Sequence, residues 1–216
     1  MKRRIMIVDD HKIVREGLRS LIEEDGNYQV VGEAGNGREA LKRAKELMPD
    51  IVIMDVAMSE MNGIEATRQL IAAMPDIRVL ALSMYSDSRY VKQMLEAGAL
   101  GYLVKENAFE EILTALGSLA AGRLYVSPQA SGSILQDIAH GQMAGNAAES
   151  PLTAREKETL QLIAEGHSTA EIAERLFVSV KTVETHRKKI MDKLDLRSVA
   201  ELTKYAIREG ITSVDS

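Results

Sequence analysis

The sequence of 216 residues contains no cysteine. This absence excludes disulfide bonds, zinc sites with thiolate ligands and catalysis by a thiol. Long apolar runs are also absent, because none approaches the roughly 18 residues that a membrane span requires. Near the start, Asp9 and Asp10 end the apolar run 5–8 after four residues. We therefore expect no signal peptide and a cytoplasmic protein.

Charge is distributed unevenly along the chain. The net charge is −5, with 15 basic and 19 acidic side chains in residues 1–122 and 11 of each in residues 151–216. Within 181–197, six basic side chains stand against three acidic ones. A local basic cluster on a near-neutral segment is what a nucleic-acid-binding surface needs.

Strand and helix patterns alternate through the first 120 residues. The predicted strands cover 5–8, 29–33, 51–54, 78–82 and 100–104. The predicted helices cover 13–22, 38–47, 64–74, 87–97 and 109–121. Five βα units imply a parallel sheet with right-handed crossovers. The predicted fold of residues 1–122 is an α/β doubly wound, flavodoxin-like sheet of five strands, an architecture whose common strand order is 2-1-3-4-5.

Residues 123–150 differ in character from the segments on either side. They hold three glycines and only three charged side chains, and apolar spacing favours a short helix at 131–140. We interpret this stretch as a linker, of which 141–150 is the flexible part.

Residues 151–216 are predicted to form a small all-α domain of four helices, at 154–165, 169–176, 180–194 and 198–209. Three helix starts carry the capping-box pattern, in which Ser or Thr is followed three residues later by Glu. These pairs are Thr153 with Glu156, Ser168 with Glu171, and Ser198 with Glu201. Ser179 is a predicted N-cap, and the short link before it is typical of a helix-turn-helix unit.

Polar side chains follow four of the predicted strands. Asp9 and Asp10 come after the first strand, Asp55 after the third, Ser83 after the fourth and Lys105 after the fifth. In open α/β sheets, groups at these strand ends converge on one site. Carboxylates suit Mg²⁺, and a carboxylate beside Mg²⁺ can act as a nucleophile towards phosphorus. A lysine and a hydroxyl would hold the phosphoryl oxygens.

Each of these residues also has a simpler interpretation. Any single acid at a strand end can be a polar cap for the next helix, and only the combination of all five favours a site. Gly32, Gly35 and Gly37 lack nucleotide-binding spacing and suit an ordinary βα turn better. His11 is either a metal ligand or a loop residue, and the absence of a second nearby histidine favours the loop.

Residues 1–122 resemble the receiver domain of two-component response regulators. The resemblance implies that Asp55 accepts a phosphoryl group from a sensor histidine kinase. It also implies that Mg²⁺ is bound by Asp9, Asp10, Asp55 and the main-chain carbonyl of Ala57.

The same resemblance assigns roles to three further residues. Lys105 matches the family's lysine, and Ser83 and Tyr102 match its hydroxyl and aromatic switch positions. Taken alone, Tyr102 would be a half-buried packing residue. One departure is visible, since Ser59 follows Met58 where the family often has proline, and we expect a looser loop there.

The segment 180–194 is predicted to place Val183, Ile190 and Leu194 on one inward stripe. Polar side chains on its other side suit the major groove, and flanking cations suit phosphates. A solvated surface helix is the equally simple alternative.

Residues 151–208 resemble the LuxR-type helix-turn-helix of NarL/FixJ response regulators. The matching residues are Leu152, Thr153, Arg155, Glu156, Gly166, Ile172, Ala173, Leu176, Ser179, Thr182, Val183, His186, Ile190, Lys193 and Leu194. The resemblance implies a scaffold helix at 169–176 and a recognition helix at 180–194. The expected DNA-binding residues are Lys181, Thr182, Glu184, Thr185, Arg187, Lys188 and Lys189. His186 has two open interpretations, packing or phosphate contact.

Together, these features predict a non-enzymatic transcriptional response regulator. Phosphorylation of Asp55 would control dimerisation and binding to promoter DNA, and contact with RNA polymerase is compatible with this role. Helix 198–209 is either a dimer surface or packs on its neighbours. Two alternatives remain. One is a Mg²⁺-dependent phosphatase, although Ala57 stands two residues after Asp55, where such an enzyme would need an acid to protonate the leaving group. The other is a regulator that never accepts phosphate and acts only through protein partners.

Overall fold

The structure is a computed structural model that describes residues 2–139 and 151–212. The chain divides into two compact units. The first unit consists of Met1–Met58 and Asn62–Gly145, and the second consists of Ser59–Met61 and Asn146–Ser216. Among the described residues, no helix combines the length and the apolarity needed to cross a bilayer.

The first unit is built on one parallel sheet with the order β2-β1-β3-β4-β5-β6. Its strands are β1 (Arg3–Val8), β2 (Tyr28–Ala34), β3 (Ile51–Asp55), β4 (Arg78–Ser83), β5 (Gly101–Val104) and β6 (Tyr125–Val126). The predicted order of the first five strands is confirmed. Every residue of β3 is buried, as expected for a central strand covered on both faces.

Helices cover both faces of this sheet. They are α1 (Lys12–Glu24), α2 (Gly37–Leu47), α3 (Gly63–Ala73), α4 (Ser88–Glu96), α5 (Ala108–Ala120) and α6 (Pro128–Ala139). Helices α1 and α5 contact each other and share an apolar core with the sheet, in which Leu18, Ile22 and Leu116 are buried. Helix α3 packs between α2 and α4. The doubly wound α/β class is therefore confirmed.

The predicted number of strands was wrong, because β6 adds a sixth. Gly122 has a left-handed backbone (φ 71°) after α5, and the chain returns to the sheet. There the Tyr125 N–H donates to Leu100 O (3.1 Å) and the Ser127 N–H donates to Tyr102 O (2.9 Å). A strand of two residues is too short to produce a detectable alternation.

The stretch predicted as a linker thus contains β6 and the whole of α6. Helix α6 begins three residues before the predicted start at 131 and packs against α4 and β5. Residues 140–150, which include the last residue of that predicted helix and the flexible part of the predicted linker, lie outside the described residues.

The second unit contains four helices within residues 151–212. They are α7 (Ala154–Ala164), α8 (Thr169–Arg175), α9 (Val180–Leu194) and α10 (Val199–Arg208). All three predicted capping boxes form, at Thr153, Ser168 and Ser198, and the Ser179 hydroxyl accepts from the Thr182 N–H. These caps satisfy backbone N–H groups that a helix start otherwise leaves without partners.

The turn between α8 and α9 contains an unfavourable residue. Phe177 has a left-handed backbone (φ 52°), and its side chain is 91% exposed. The left-handed conformation costs a non-glycine residue roughly 1–2 kcal/mol. Because so little of the ring is buried, side-chain packing recovers little of that cost.

We expect Phe177→Gly to stabilise the second unit by about 1 kcal/mol relative to Phe177→Ala. Both variants remove the exposed ring, but only glycine relieves the backbone. Amide hydrogen exchange of α8 and α9 measures the difference. Equal protection in the two variants would contradict this account of the turn.

Candidate functional site

Strand register brings Asp9 and Asp55 together. In the pairing of β1 with β3, Val8 lies opposite Met54, so the next residues along the two strands are Asp9 and Asp55. Both acids are almost completely buried, at 0% and 1% exposure. Two carboxylates at this depth repel each other and require a cation.

The next two strands bring Ser83 and Lys105 to the same edge. Asp55 pairs with Leu82, one residue before Ser83, and Ser83 pairs with Val104, one residue before Lys105. Four of the five strand-end residues expected from the sequence therefore lie at neighbouring positions. The fifth, Asp10, lies on the rim at the start of α1.

The Lys105 ammonium supplies the cation between the two buried acids. Its Nζ lies 2.7 Å from Asp9 Oδ2 and 2.8 Å from Asp55 Oδ2. The other Asp55 oxygen, Oδ1, accepts from the Ala57 N–H at 3.3 Å, and Asp9 Oδ1 accepts from the His11 N–H at 2.9 Å. Both acids are thus fixed by a charged donor and a backbone donor.

Burial shifts the ionisation of this cluster. It raises the pKa of Asp55 to about 6, an effect that Lys105 opposes and Asp9 reinforces. For Lys105, burial acts to lower the pKa, but the attraction of Asp55 and Asp9 outweighs it and the pKa is raised. At neutral pH the cluster therefore contains a charged lysine and an ionised Asp55.

The rim of the cluster adds two further groups. His11 Nδ1 lies 2.7 Å from Asp10 Oδ1 and 3.3 Å from Asp9 Oδ1. Candidate ligand atoms of Asp9, Asp10, His11 and Asp55 all lie within 4.8 Å of one another. His11 also precedes α1 as its N-terminal flanking residue, so its position is compatible with both roles considered from the sequence.

The donor set fits a hard divalent cation. Three carboxylates face one ammonium, so the cluster has excess negative charge, and oxygen ligands are those that Mg²⁺ prefers. Asp9 and Asp55 would hold the ion from the buried side and Asp10 from the rim.

A chain of hydrogen bonds links the site to the interior. The Ser83 hydroxyl accepts from the Tyr85 N–H at 3.1 Å, and Tyr85 O accepts from the Tyr102 hydroxyl at 2.6 Å. Tyr102 is fully buried, not half-buried, and burial raises the pKa of its hydroxyl far above the ordinary value. No sequence signal pointed to Tyr85, because this residue contributes through its backbone N–H and carbonyl.

Two of the three glycines considered for nucleotide binding, Gly32 and Gly35, make contacts that explain them structurally. Gly32 lies within β2, where a Cβ atom would stand 2.2 Å from Leu47 Cδ1. The Gly35 N–H donates to Glu39 Oε2 at 2.8 Å. These contacts support the ordinary βα turn.

Gly63 closes the loop that follows Asp55. Its N–H donates to Val56 O at 3.0 Å, and a Cβ atom there would lie 1.9 Å from Asp55 O. Because that neighbour is backbone, a side chain at 63 would displace the residue that carries the central carboxylate.

We expect Gly63→Ala to lower the free energy of unfolding by about 2–3 kcal/mol, because the added methyl group overlaps backbone. Denaturant unfolding of the full chain measures the change. Gly132→Ala is the matched control, since nothing lies within 4 Å of a Cβ at that helical position. A loss of similar size in both variants would contradict the steric argument.

In the second unit, α9 presents most of its polar residues to solvent. Val183 and Ile190 are buried and Leu194 is partly buried, so the predicted inward stripe is confirmed. The exposed predicted DNA contacts are Lys181, Glu184, Thr185, Arg187, Lys188 and Lys189. Thr182 is half-buried, and its hydroxyl lies 2.8 Å from the Ser179 hydroxyl, so it supports the helix start.

Contacts with α7 hold α9 in place. Lys193 Nζ lies 2.6 Å from Glu156 Oε2. Burial acts to raise the pKa of Glu156, but the hydrogen bonds from Lys193 and Thr153 outweigh this effect and the pKa is lowered. His186 Nδ1 lies 3.3 Å from Thr159 Oγ1, which itself donates to Arg155 O at 2.8 Å. His186 therefore contributes to packing between the two helices.

Family comparisons agree with both halves of this description. Residues 5–117 match the response regulator receiver domain, and residues 150–206 match the bacterial regulatory proteins of the luxR family. The chain belongs to the response regulators that combine a receiver with a LuxR-type helix-turn-helix domain.

Similar proteins extend over almost the whole chain. The transcriptional regulatory protein LiaR of Bacillus subtilis is 38% identical over 210 residues, covering 97% of this chain and 99% of LiaR. The oxygen regulatory protein NreC of Staphylococcus carnosus is also 38% identical, over 214 residues covering 96% of this chain and 98% of NreC. The chain is thus a DNA-binding transcriptional response regulator.

Solved structures support the same fold. A LuxR-family two-component response regulator from Aurantimonas sp. SI85-9A1 is 40% identical with a TM-score of 0.62, covering 64% of this chain and 99% of that one. The response regulator RcsB in an RcsB–DNA complex is 25% identical with a TM-score of 0.61, covering 97% of this chain and 99% of RcsB.

Proposed function

We propose that Asp55 is the phosphoacceptor of a two-component pathway and that Mg²⁺ binds beside it. The observation that carries this proposal is the Lys105 ammonium held between Asp9 and Asp55. When bound, Mg²⁺ supplies positive charge for the phosphoryl oxygens. Asp9, Asp10 and Asp55 would hold the ion, together with the main-chain carbonyl of Ala57.

In the proposed transfer, an Asp55 carboxylate oxygen forms a bond to phosphorus while the bond from phosphorus to the donor histidine nitrogen breaks. The electron pair of the broken bond remains on that nitrogen. Lys105 would neutralise a phosphoryl oxygen, and the Ser83 hydroxyl would donate to another. The sensor histidine kinase is therefore the expected partner of this face.

The chain accepts the phosphoryl group on itself in this scheme, and we do not assign it turnover of an external substrate. Ala57 offers no acid two residues beyond Asp55, where a phosphatase would need one to protonate a leaving group. The presence of Asp9, Asp10, Asp55, Ser83 and Lys105 together argues against a regulator that never accepts phosphate.

Asp55→Asn should abolish phosphorylation by acetyl phosphate and Mg²⁺, because an amide oxygen is a poor nucleophile. Intact-protein mass spectrometry should show one added phosphate on the unaltered chain and none on the variant. Asp50→Asn, at a half-exposed position outside the cluster, is the control. Equal labelling of both variants would contradict the assignment of the acceptor.

For the second unit, we propose that α9 is the recognition helix. Lys181, Glu184, Thr185 and Lys188 would face base edges in the major groove, and Arg187 and Lys189 would contact phosphates. Support comes from the exposure of the first four residues on the face opposite the buried Val183 and Ile190, and of Arg187 and Lys189 at the flanks of that face. A single module of this size contacts little DNA, so we also propose a homodimer on two half-sites.

Lys188→Ala and Lys189→Ala should weaken binding in different ways. Loss of a base contact at Lys188 should cost about 1–3 kcal/mol on a preferred duplex and relax discrimination between duplexes. Loss of a phosphate contact at Lys189 should weaken binding to all duplexes and reduce the salt dependence by about one unit of slope. The duplexes are first recovered from genomic fragments by their binding to this protein. Binding titrations at several salt concentrations then measure the affinity for each duplex and the slope of its salt dependence.

The control is Lys204→Ala, which removes the same charge from an exposed position on α10. Identical losses for Lys188→Ala and Lys204→Ala would contradict a specific role for α9.

The domain arrangement follows from these assignments. We propose a receiver that continues through α6, a connection at 140–150 and a DNA-binding domain from residue 151. Such a regulator would work in the cytoplasm, where kinase, DNA and RNA polymerase are accessible to it.

A further inference from the structure

Helix α6 contacts the loop at 84–87, which joins β4 to α4. The Ser133 hydroxyl on α6 lies 2.5 Å from Ser86 O in this loop and 2.9 Å from Ala130 O in its own helix. A hydroxyl has one proton, and the shorter distance favours donation to the loop. A second contact joins the Ser88 hydroxyl, at the start of α4, to the Asp137 carboxylate.

The same loop carries the hydrogen bonds that join Ser83 to Tyr102, the two switch positions expected from the sequence. Tyr85 lies between Ser83, whose hydroxyl accepts its N–H, and Tyr102, whose hydroxyl donates to its carbonyl. The Tyr85 ring also stacks on Tyr90 of α4, with ring centroids 4.9 Å apart. Ser86, the partner of Ser133, is the next residue in the chain.

The N-terminal end of α6 is also connected to Tyr102, through a backbone hydrogen bond. The Ser127 N–H, directly before α6, donates to Tyr102 O at 2.9 Å. Thus Ser133 and Asp137 contact the β4–α4 connection, and Ser127 contacts the strand that carries Tyr102. A displacement of Ser83 or Tyr102 would therefore change the position of groups that hold α6.

We propose that Ser133 and Asp137 are positioning residues that couple the phosphorylation site to α6. A phosphoryl group on Asp55 attracts the Ser83 hydroxyl, and Tyr85 follows because its N–H is bound to Ser83. The Ser86 carbonyl then moves away from Ser133, and α6 is released from the loop. This inference rests on the proposed phosphorylation of Asp55 and names the element that responds to it.

Coupling of this kind is reciprocal. If phosphorylation weakens the contact between Ser86 and Ser133, removal of that contact must favour the phosphorylated state by the same factor. A single hydrogen bond of ordinary strength corresponds to about a fivefold effect. Ser133 should therefore influence Asp55 without touching it.

The experiment compares the full chain with Ser133→Ala and with Ser88→Ala, which removes the donor to Asp137. Ser131→Ala is the control, because the Ser131 hydroxyl lies on the same helix and contacts only Val126 O, at 3.4 Å, among the hydrogen bonds resolved for it. Amide hydrogen exchange of α6 is measured before and after treatment with acetyl phosphate and Mg²⁺, and mass spectrometry gives the fraction phosphorylated.

In the unaltered chain, we expect phosphorylation to raise exchange in α6 about fivefold. In Ser133→Ala and Ser88→Ala, exchange should already be raised without phosphate, and the change on phosphorylation should shrink. Ser133→Ala should also raise the steady-state fraction of phosphorylated protein, whereas Ser131→Ala should behave as the unaltered chain.

Two results would overturn the inference. One is full labelling of the unaltered chain with unchanged exchange in α6. The other is equal behaviour of Ser133→Ala and Ser131→Ala. An absence of labelling would instead overturn the proposed phosphorylation itself, so the two failures are distinguishable.

Discussion

Two buried carboxylates, Asp9 and Asp55, share one ammonium group, and the arrangement of the first unit depends on that contact. Neither acid is exposed enough for water to stabilise its charge, and burial raises the pKa of Asp55 to about 6. The Lys105 ammonium, 2.7 and 2.8 Å from the two acids, supplies the positive charge between them and holds both carboxyl groups in place. The three strands that carry these residues must therefore keep their register.

The second unit depends on capped helix starts and on one inward stripe. Thr153, Ser168 and Ser198 each close a capping box, and Val183 and Ile190 bury one side of α9. The opposite side of α9 is then left to solvent with its lysines. Because packing of its buried face holds α9 in place, the polar side chains on its exposed face have defined positions, and recognition of base edges requires such positions.

Local pattern was sufficient for most elements. A continuous apolar run such as 51–54 predicts a strand without knowledge of which strands lie beside it. A Ser or Thr followed three residues later by Glu predicts a helix start, because the contacts of a capping box lie within four residues. The two features that local pattern did not reveal have a common cause. Strand β6 has two residues and is defined only by its pairing with β5, and the left-handed Phe177 is set by the turn between two packed helices.

The sequence by itself determined the alternation of strands and helices, the helix caps and the identity of the acids, lysine and hydroxyl at the strand ends. Those features depend on neighbours in the chain. Only the tertiary structure decided that Lys105 lies between Asp9 and Asp55, that Tyr85 joins Ser83 to Tyr102, and that α6 rests on the loop beside them. Each of these contacts joins distant segments or uses backbone atoms, which side-chain patterns do not encode.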